Sequence, residues 1–412
     1  MRGHIKKRST WQFTVDLGLQ PLQRCPACKK RYWTKEQGRL KRCPRCAGQL
    51  EDRLERRQEF YSGYKTKREA EDELAKVIGA LATGSFISPS KLTLDDYLRS
   101  EWLPAIRATI RPTTYLSYQG HVEHHLIPHL GRIPLQQLCA SDINAFYGRL
   151  LSEDRPGKQR TLAPATVRRI HATLHRALKD AVRWNKISRN PSDAADPPRA
   201  ATCAEAEINV WSVIQLQSFL RAEAESPLYP LWLTLITTGL RRGEALGLRW
   251  QDVDLVARTL AIRQTRVLHG HQPLLSTPKT RKGRRLVALD PATAACLQGL
   301  HDQQQAKRGE GQDDHEDADL VFTDEHNQPI HPERATTLFV KAAQAAGVPR
   351  IRLHDLRHTH ATLALSAGVH PKIVSERLGH ANIGITLDTY SHCLPALSEE
   401  AARRVAALVV PA

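Results

Sequence analysis

The sequence predicts a multidomain α+β protein. It places a small β-sheet-plus-helix domain first, an all-α four-helix domain in the middle, and a mainly α domain with a small antiparallel sheet last. Three observations predict this. The chain has 412 residues, room for two to four domains, and is 41% hydrophobic, enough for real cores. Its apolar period changes from two near the N-terminus, to three and four in the middle, to a mixture of both beyond residue 205. Two stretches, Gly84–Ser90 and Asn190–Ala200, are short and rich in Gly, Ser or Pro, as linkers are. The net charge of +17 calls for a polyanion, most simply nucleic acid. No apolar run approaches the ~18 residues that span a bilayer. The basic N-terminus lacks the apolar core of a signal peptide. A cytoplasmic, nucleoid-associated protein with no membrane partner is expected.

Taken in order, residues 10–17 (TWQFTVDL) alternate as a strand. Cys25-Pro-Ala-Cys28 and Cys43-Pro-Arg-Cys46 follow, fourteen residues apart. A doubled C-P-x-C at this spacing is the pattern of a four-thiolate tetrahedral site, so a structural zinc ribbon at about 20–50 is expected. A disulfide pair or idle thiols are the alternatives. Between the knuckles lie Lys29, Lys30, Arg31, Lys35, Arg39, Lys41 and Arg42 against one acid, Glu36. Residues 1–60 carry sixteen Lys/Arg and six Asp/Glu, more than half of the net charge. Lys29, Lys30, Arg31, Lys41 and Arg42 are the candidate phosphate contacts here. Tyr32 and Trp33 suit either a nucleic-acid contact or packing. A strand, a turn and a helix from about Thr66 to Leu81 complete the first domain.

From Thr93 to about Pro198 four segments space apolar residues by three and four, with starts expected near Thr113, Ser141 and Pro164. Beyond residue 205, LWLTLITTGLRRGEALGLRW reads as a helix, a turn at Gly239 and a second helix. RTLAIRQTRVL, QPLLSTPKT and GRRLVALD read as three strands, and residues 309–319 as an acidic surface loop.

The stretch from Leu353 to Tyr390 carries the chemistry. His354 and Arg357 stand three apart, His380 follows Gly379, and Tyr390 comes ten residues later. A nucleophile candidate, a fixed cation and two imidazoles within 37 positions suit phosphoryl transfer. A metal reading of His354 and His358, four apart, fails because no Glu follows the first His. No G-x-x-x-x-G-K-[ST] is present.

These residues resemble the tyrosine recombinases of the phage integrase family. The motifs are His354-Asp355-Leu356-Arg357, Leu378-Gly379-His380, Tyr390, and T-G-L-R-R-G-E at 238–244. The resemblance implies that Arg241 and Arg357 clamp the scissile phosphate, with Glu244 in support and Arg242 a bystander. It implies that Lys279, in Thr277-Pro278-Lys279-Thr280, protonates the leaving 5′-oxygen. Arg281, Lys282, Arg284 and Arg285 crowd that lysine and leave a solvated hairpin residue as the alternative. Tyr390 would attack and hold DNA as a 3′-phosphotyrosine, His354 would take its proton, and His380 would bond a phosphate oxygen. No cofactor is expected for catalysis.

The flanks GHIKKRSTWQFTVDLG and FYSGYKTKREAEDELAKVI resemble the family's arm-type DNA-binding domain. The resemblance thus divides the chain into an arm-binding domain (1–88) with the zinc ribbon inserted between its first and second strands, a core-binding domain (93–198), a catalytic domain (205–397) and a tail (398–412). It implies a homotetramer on double-stranded DNA with core and arm-type sites, with an accessory DNA-bending or directionality factor as a further partner. The implied function is site-specific recombination that integrates or excises a mobile element. A nicking and resealing enzyme of type IB topoisomerase chemistry, or a non-catalytic zinc-containing DNA-binding protein, are the alternatives.

Overall fold

The computed structural model describes residues 3–34, 38–83, 86–152, 161–199, 209–270, 272–277, 281–309 and 319–390, with Arg403 and Ala406. Lys35, Lys279, most of the acidic loop and nearly all of the tail lie outside the described residues. The chain divides into two compact units, Met1–Cys203 and Ala204–Ala412. Among the described residues no helix is long and apolar enough to cross a membrane.

The first unit opens with strands β1 (Gly3–Lys7), β2 (Trp11–Arg24), β3 (Arg31–Trp33) and β4 (Glu51–Tyr64) in one antiparallel sheet. β2 pairs with β1 and β3 along one edge and with β4 along the other. β1 has no counterpart among the expected strands, because its basic residues hide a five-residue strand. The expected strand at 10–17 is also too short. Pairing is interrupted between Asp16 and Leu19, where Gly18 takes φ +75° and its N–H reaches Asp16 Oδ1 at 2.8 Å. It then resumes from Leu19↔Arg56 to Arg24↔Glu51. Only glycine enters that region without a Cβ penalty, so Gly18 lets one strand continue past a bulge. The cysteine knuckles therefore cap the far end of one long β2–β4 ribbon.

A helix, Lys67–Ala82, follows, closed by the expected start: Thr66 and Glu69 form a reciprocal capping box. Phe13, Val15 and Ala70 form the small core, with the Phe13 ring stacked against those of Tyr61 (4.7 Å) and Tyr64 (5.5 Å).

Four helical runs make the rest of this unit. Leu94–Asp96 and Leu103–Ile106 flank a π-helical turn, Tyr97–Trp102. Pro112–His121 and Ile127–Leu130 flank a second, Val122–Leu126. Pro104 and Pro128 sit just after these turns. A proline has no N–H to give the preceding turn and its ring crowds it, and a widened turn relieves both. Ala140–Ser152 and Pro164–Arg183 complete the set. Pro164 starts its helix as expected, whereas Pro112 and Ala140 lead where Thr113 and Ser141 were expected. The core contains Trp102, Leu126, Phe146, Ile170, Leu174 and Leu178. Its buried polar tips are satisfied: Tyr97 Oη donates to Ala177 O (2.7 Å) and Trp102 Nε1 to Asp180 Oδ2 (2.9 Å).

The second unit is mainly helical. Trp211, Phe219, Trp232 and Phe339 pack at its centre with ring separations from 5.1 to 6.4 Å. The segment RTLAIRQTRVL, expected as one strand, breaks at Arg263 and Gln264. Its halves, β6 (Thr259–Ile262) and β7 (Thr265–His269), join different sheets. β6 lies between β5 (Val253–Asp254) and β9 (Arg285–Ala288), and β7 pairs with β8 (Gln272–Ser276). Gln264 gives its side-chain amide to Gly247 O (2.8 Å), which turns the chain between the halves.

Candidate active site

The helix Tyr229–Thr238 ends at Gly239, which has φ +66°. A Cβ there would lie 2.7 Å from His360 Cδ2 and 2.8 Å from Leu378 Cδ2, so both backbone and space require glycine. The turn places Arg241 just before the short helix Arg242–Leu246. Glu244 lies one turn on, 4% exposed, and is the hub of the site. Its carboxylate accepts from the Arg241 backbone N–H (3.0 Å) and Arg241 Nη1 (2.8 Å). It also accepts two bonds from Arg285 on β9, at 3.1 and 2.9 Å. Burial alone would raise this carboxyl; Arg285, then Arg241, outweigh it and hold the group at about 2. Arg242 turns elsewhere, giving Nη1 to Thr336 Oγ1 at 2.7 Å.

Arg357 stands in the first turn of the helix Asp355–Ser366 and is 3% exposed. Its Nη1 donates to Gly239 O (2.9 Å) and its Nη2 to Leu378 O (2.7 Å). Arg241 Nη1 approaches the same Leu378 oxygen at 3.5 Å. One carbonyl thus gathers two guanidiniums from segments more than a hundred residues apart. Burial, then the like charge of Arg241, works against the charged form of Arg357. A guanidinium does not give up its proton, so the pair is a cationic site that an anion would stabilise.

Leu378 closes the helix Pro371–Leu378, and Gly379 turns the chain at φ +69°. His380 follows, half-buried, with Nδ1 2.8 Å from Thr386 Oγ1. Burial first, then Arg357, Arg241 and Arg285, push its pKa down to about 4, so its ring is neutral at pH 7. Tyr390 ends the helix Ile383–Tyr390 at 1% exposure, packed with Ala361, Leu365, Val374 and Leu378. His354 sits exposed at the start of the Asp355–Ser366 helix. Crowding by the surrounding protein, then His358, Arg357 and Arg241, lower its pKa to about 4. Lys279 lies outside the described residues; Lys282, from the same basic loop, gives Nζ to Ala381 O at 2.8 Å.

Two residues at the site escape a reading of the sequence. Arg285 stands there only as a crowding cation, yet it holds Glu244. His358 stands there only as a rejected metal ligand. Its Nδ1 lies 2.8 Å from the Tyr390 hydroxyl, and its ring packs edge-on against His354 at 5.2 Å. The available signal was its position directly after Arg357 and one helical turn after His354.

Two family descriptions match this chain: "Phage integrase family" over residues 214–396 and "Phage integrase, N-terminal SAM-like domain" over 93–151. The chain belongs to the phage integrase family. This integrase is similar to a tyrosine recombinase XerC-like protein of Caldanaerobacter subterraneus subsp. tengcongensis, 27% identical, covering 82% of this chain and 88% of the relative. In fold it is similar to the Tn1549 transposon integrase bound to a circular intermediate DNA, at TM-score 0.60 and 20% identity, over 76% of this chain and 99% of the other. It is also similar to the lambda integrase tetramer bound to a Holliday junction, at TM-score 0.52 and 17% identity, over 83% and 92%.

The four cysteines of this integrase lie outside both matched stretches. Their sulfurs all fall within 4.8 Å of one another, close enough to hold a metal ion. Cys25 and Cys46 sulfurs are 3.4 Å apart, and those of Cys28 and Cys43 3.5 Å. A disulfide needs about 2.0 Å, whereas sulfurs ~2.3 Å from one tetrahedral ion stand roughly 3.8 Å apart. The residue after each knuckle, Lys29 or Ala47, takes a positive φ, so the two turns are alike. Tyr32 is buried with its hydroxyl 3.1 Å from Cys43 Sγ, and Arg57 covers the Trp33 ring at 5.1 Å. Both aromatics are thus packed in the ribbon. Lys29, Lys30, Arg31, Lys41 and Arg42 are all exposed, with Arg31 paired to Glu55 at 3.1 Å.

Proposed function

We propose that this chain is a site-specific DNA recombinase that breaks and rejoins DNA through a 3′-phosphotyrosyl intermediate, integrating or excising a mobile element. The observation that supports it most is the convergence of Arg241 and Arg357 on Leu378 O, beside His380 and Tyr390. Two guanidiniums suit the non-bridging oxygens of one phosphate and stabilise the charge that grows in the pentavalent state. Glu244 and Arg285 fix Arg241 so that little reorganisation is needed. His354 and His380, both neutral at pH 7, would donate or accept hydrogen bonds at the same phosphate. Tyr390 Oη attacks phosphorus, the 5′-oxygen leaves, and Lys279 supplies its proton. The ester retains the bond energy, so rejoining is the reverse step with a new 5′-hydroxyl.

Residues 1–88 act as the arm-type DNA-binding domain, 93–198 as the core-binding domain, 205–397 as the catalytic domain and 398–412 as an assembly tail. Working as a tetramer on two duplexes is supported by the likeness to the lambda integrase assembly. Accessory DNA-bending or directionality proteins complete the partner set. Cys25, Cys28, Cys43 and Cys46 would hold one zinc ion, which would fix the basic loop on a rigid turn and take no part in cleavage.

The test uses DNA carrying the two junctions of the element. Recombinant product together with a covalent protein–DNA species is the expected result. Covalent capture and relaxation without strand exchange would reduce the function to nicking and resealing; neither would leave only DNA binding.

A further inference from the structure

The nucleophile of the proposed reaction is stored in the core with its hydroxyl on an imidazole that the family motifs leave unassigned. Tyr390 is 1% exposed, and its Oη lies 2.8 Å from His358 Nδ1. That distance lies within the reach required between a general base and the proton it takes. His358 sits on the same helix as Arg357, one residue on, so the helix that buries the clamp also fixes this ring. For Nδ1 to accept the phenol proton, the neutral ring must carry its own proton on Nε2, and the proposal takes that tautomer.

We propose that His358 is the general base for Tyr390, a role that the motif pattern alone gives to His354. This rests on the phosphotyrosyl reading above. The proton balance is simple. The Tyr390 O–H bond breaks and its proton moves to His358 Nδ1, as the phenolate oxygen forms a bond to phosphorus. The P–O bond to the 5′-carbon side breaks, and that oxygen takes a proton from Lys279. In the reverse step the imidazolium returns its proton to the departing phenolate. His354, exposed and edge-on to His358, stays free to bond the phosphate.

A phenol ionises near pH 10, so losing the base should cost roughly 10²–10⁴ in cleavage rate. The informative variant is His358→Asn. Its side-chain oxygen replaces Nδ1 as a hydrogen-bond acceptor and takes up no proton at neutral pH. Single-turnover cleavage is measured on nicked core-site DNA that traps the adduct, with DNA affinity measured alongside. Wild-type affinity with cleavage slowed at least about a hundredfold is expected. A second measurement places 3,5-difluorotyrosine at position 390. A more acidic phenol needs its base less, so the substitution should speed the His358→Asn chain by about tenfold or more relative to its effect on the wild type. A purely structural role would give no such selective rescue.

His358→Asn cutting at the wild-type rate, or faster because the tyrosine is released, overturns the assignment. So does slow cleavage with no selective rescue by the fluorinated residue. Failure of the underlying reading is separate: an adduct that persists in Tyr390→Phe would remove Tyr390 as nucleophile whatever His358 does.

Discussion

Glu244→Gln tests whether the buried carboxylate organises the site. The substitution keeps volume and one acceptor oxygen but removes the charge that faces Arg241 and Arg285. Arg285 is itself only 7% exposed in its side chain, so it would be left as a buried, uncompensated cation. The carboxyl is held at about 2 against an ordinary 4.5. At 1.36 kcal/mol per tenfold, that difference is about 3 kcal/mol, in line with the ~3–5 kcal/mol for breaking a buried pair. A group depressed in the folded state contributes stability fully above its unfolded value. That contribution is therefore complete above about pH 4.5 and lost as pH falls towards 2. Calorimetry of the full chain at pH 7 should show one transition lowered by roughly 6–12 °C, taking ~2–4 °C per kcal/mol for a unit of this size. The wild type should converge on the variant as pH drops through that window. A change under ~2 °C at pH 7 would refute the claim that Glu244 is the electrostatic centre of the site.

Arg241→Ala should slow cleavage by roughly 10²–10³ with little change in DNA affinity, while Arg242→Ala, whose side chain bonds Thr336, should cut normally; equal rates in single-turnover assays would show the clamp to be misassigned. Gly239→Ala should destabilise the chain by about 1–3 kcal/mol and impair cleavage, because its Cβ meets His360 and Leu378 and its carbonyl holds Arg357; an unchanged melting temperature would count against that strain. Purified protein should contain about one zinc per chain, and Cys43→Ser should flatten the salt dependence of arm-DNA binding by about 0.9 in log–log slope for each phosphate that is no longer neutralised. Metal content well below that, or an unchanged slope in a folded variant, would remove the ion or the DNA role respectively.

Much of the site was legible because its polar residues sit in short local patterns. Arg241, Glu244, His354, Arg357, His380 and Tyr390 each lie beside a helix end or a glycine turn whose signal is local. The turn expected at Gly239 is an αL helix cap, and the helix expected from about Thr66 does start there. What stayed hidden depends on distant partners. Arg285 reads as one of five basic residues in a loop, and only the fold brings it 41 positions back to Glu244. His358 looked like half of a metal pair, because nothing local shows that a tyrosine 32 positions on will reach it. The split of RTLAIRQTRVL into two sheets was hidden for the same reason: the polar run Arg263–Arg266 lies inside it, but the break is made by Gln264 reaching Gly247. The strand expected at 10–17 came out too short because Gly18 lies in a bulge inside one long strand, which only the pairing with β4 reveals.

If Tyr390 carries the DNA, the trapped adduct must map to it. Protein trapped on a nicked core-site substrate is digested with nuclease and protease, and the nucleotide-bearing peptide is sequenced by mass spectrometry. A single modified residue, Tyr390, joined to a 3′-phosphate, is expected, with no modified peptide from Tyr390→Phe. A nucleotide on any other residue, or an adduct undiminished in that variant, would contradict it.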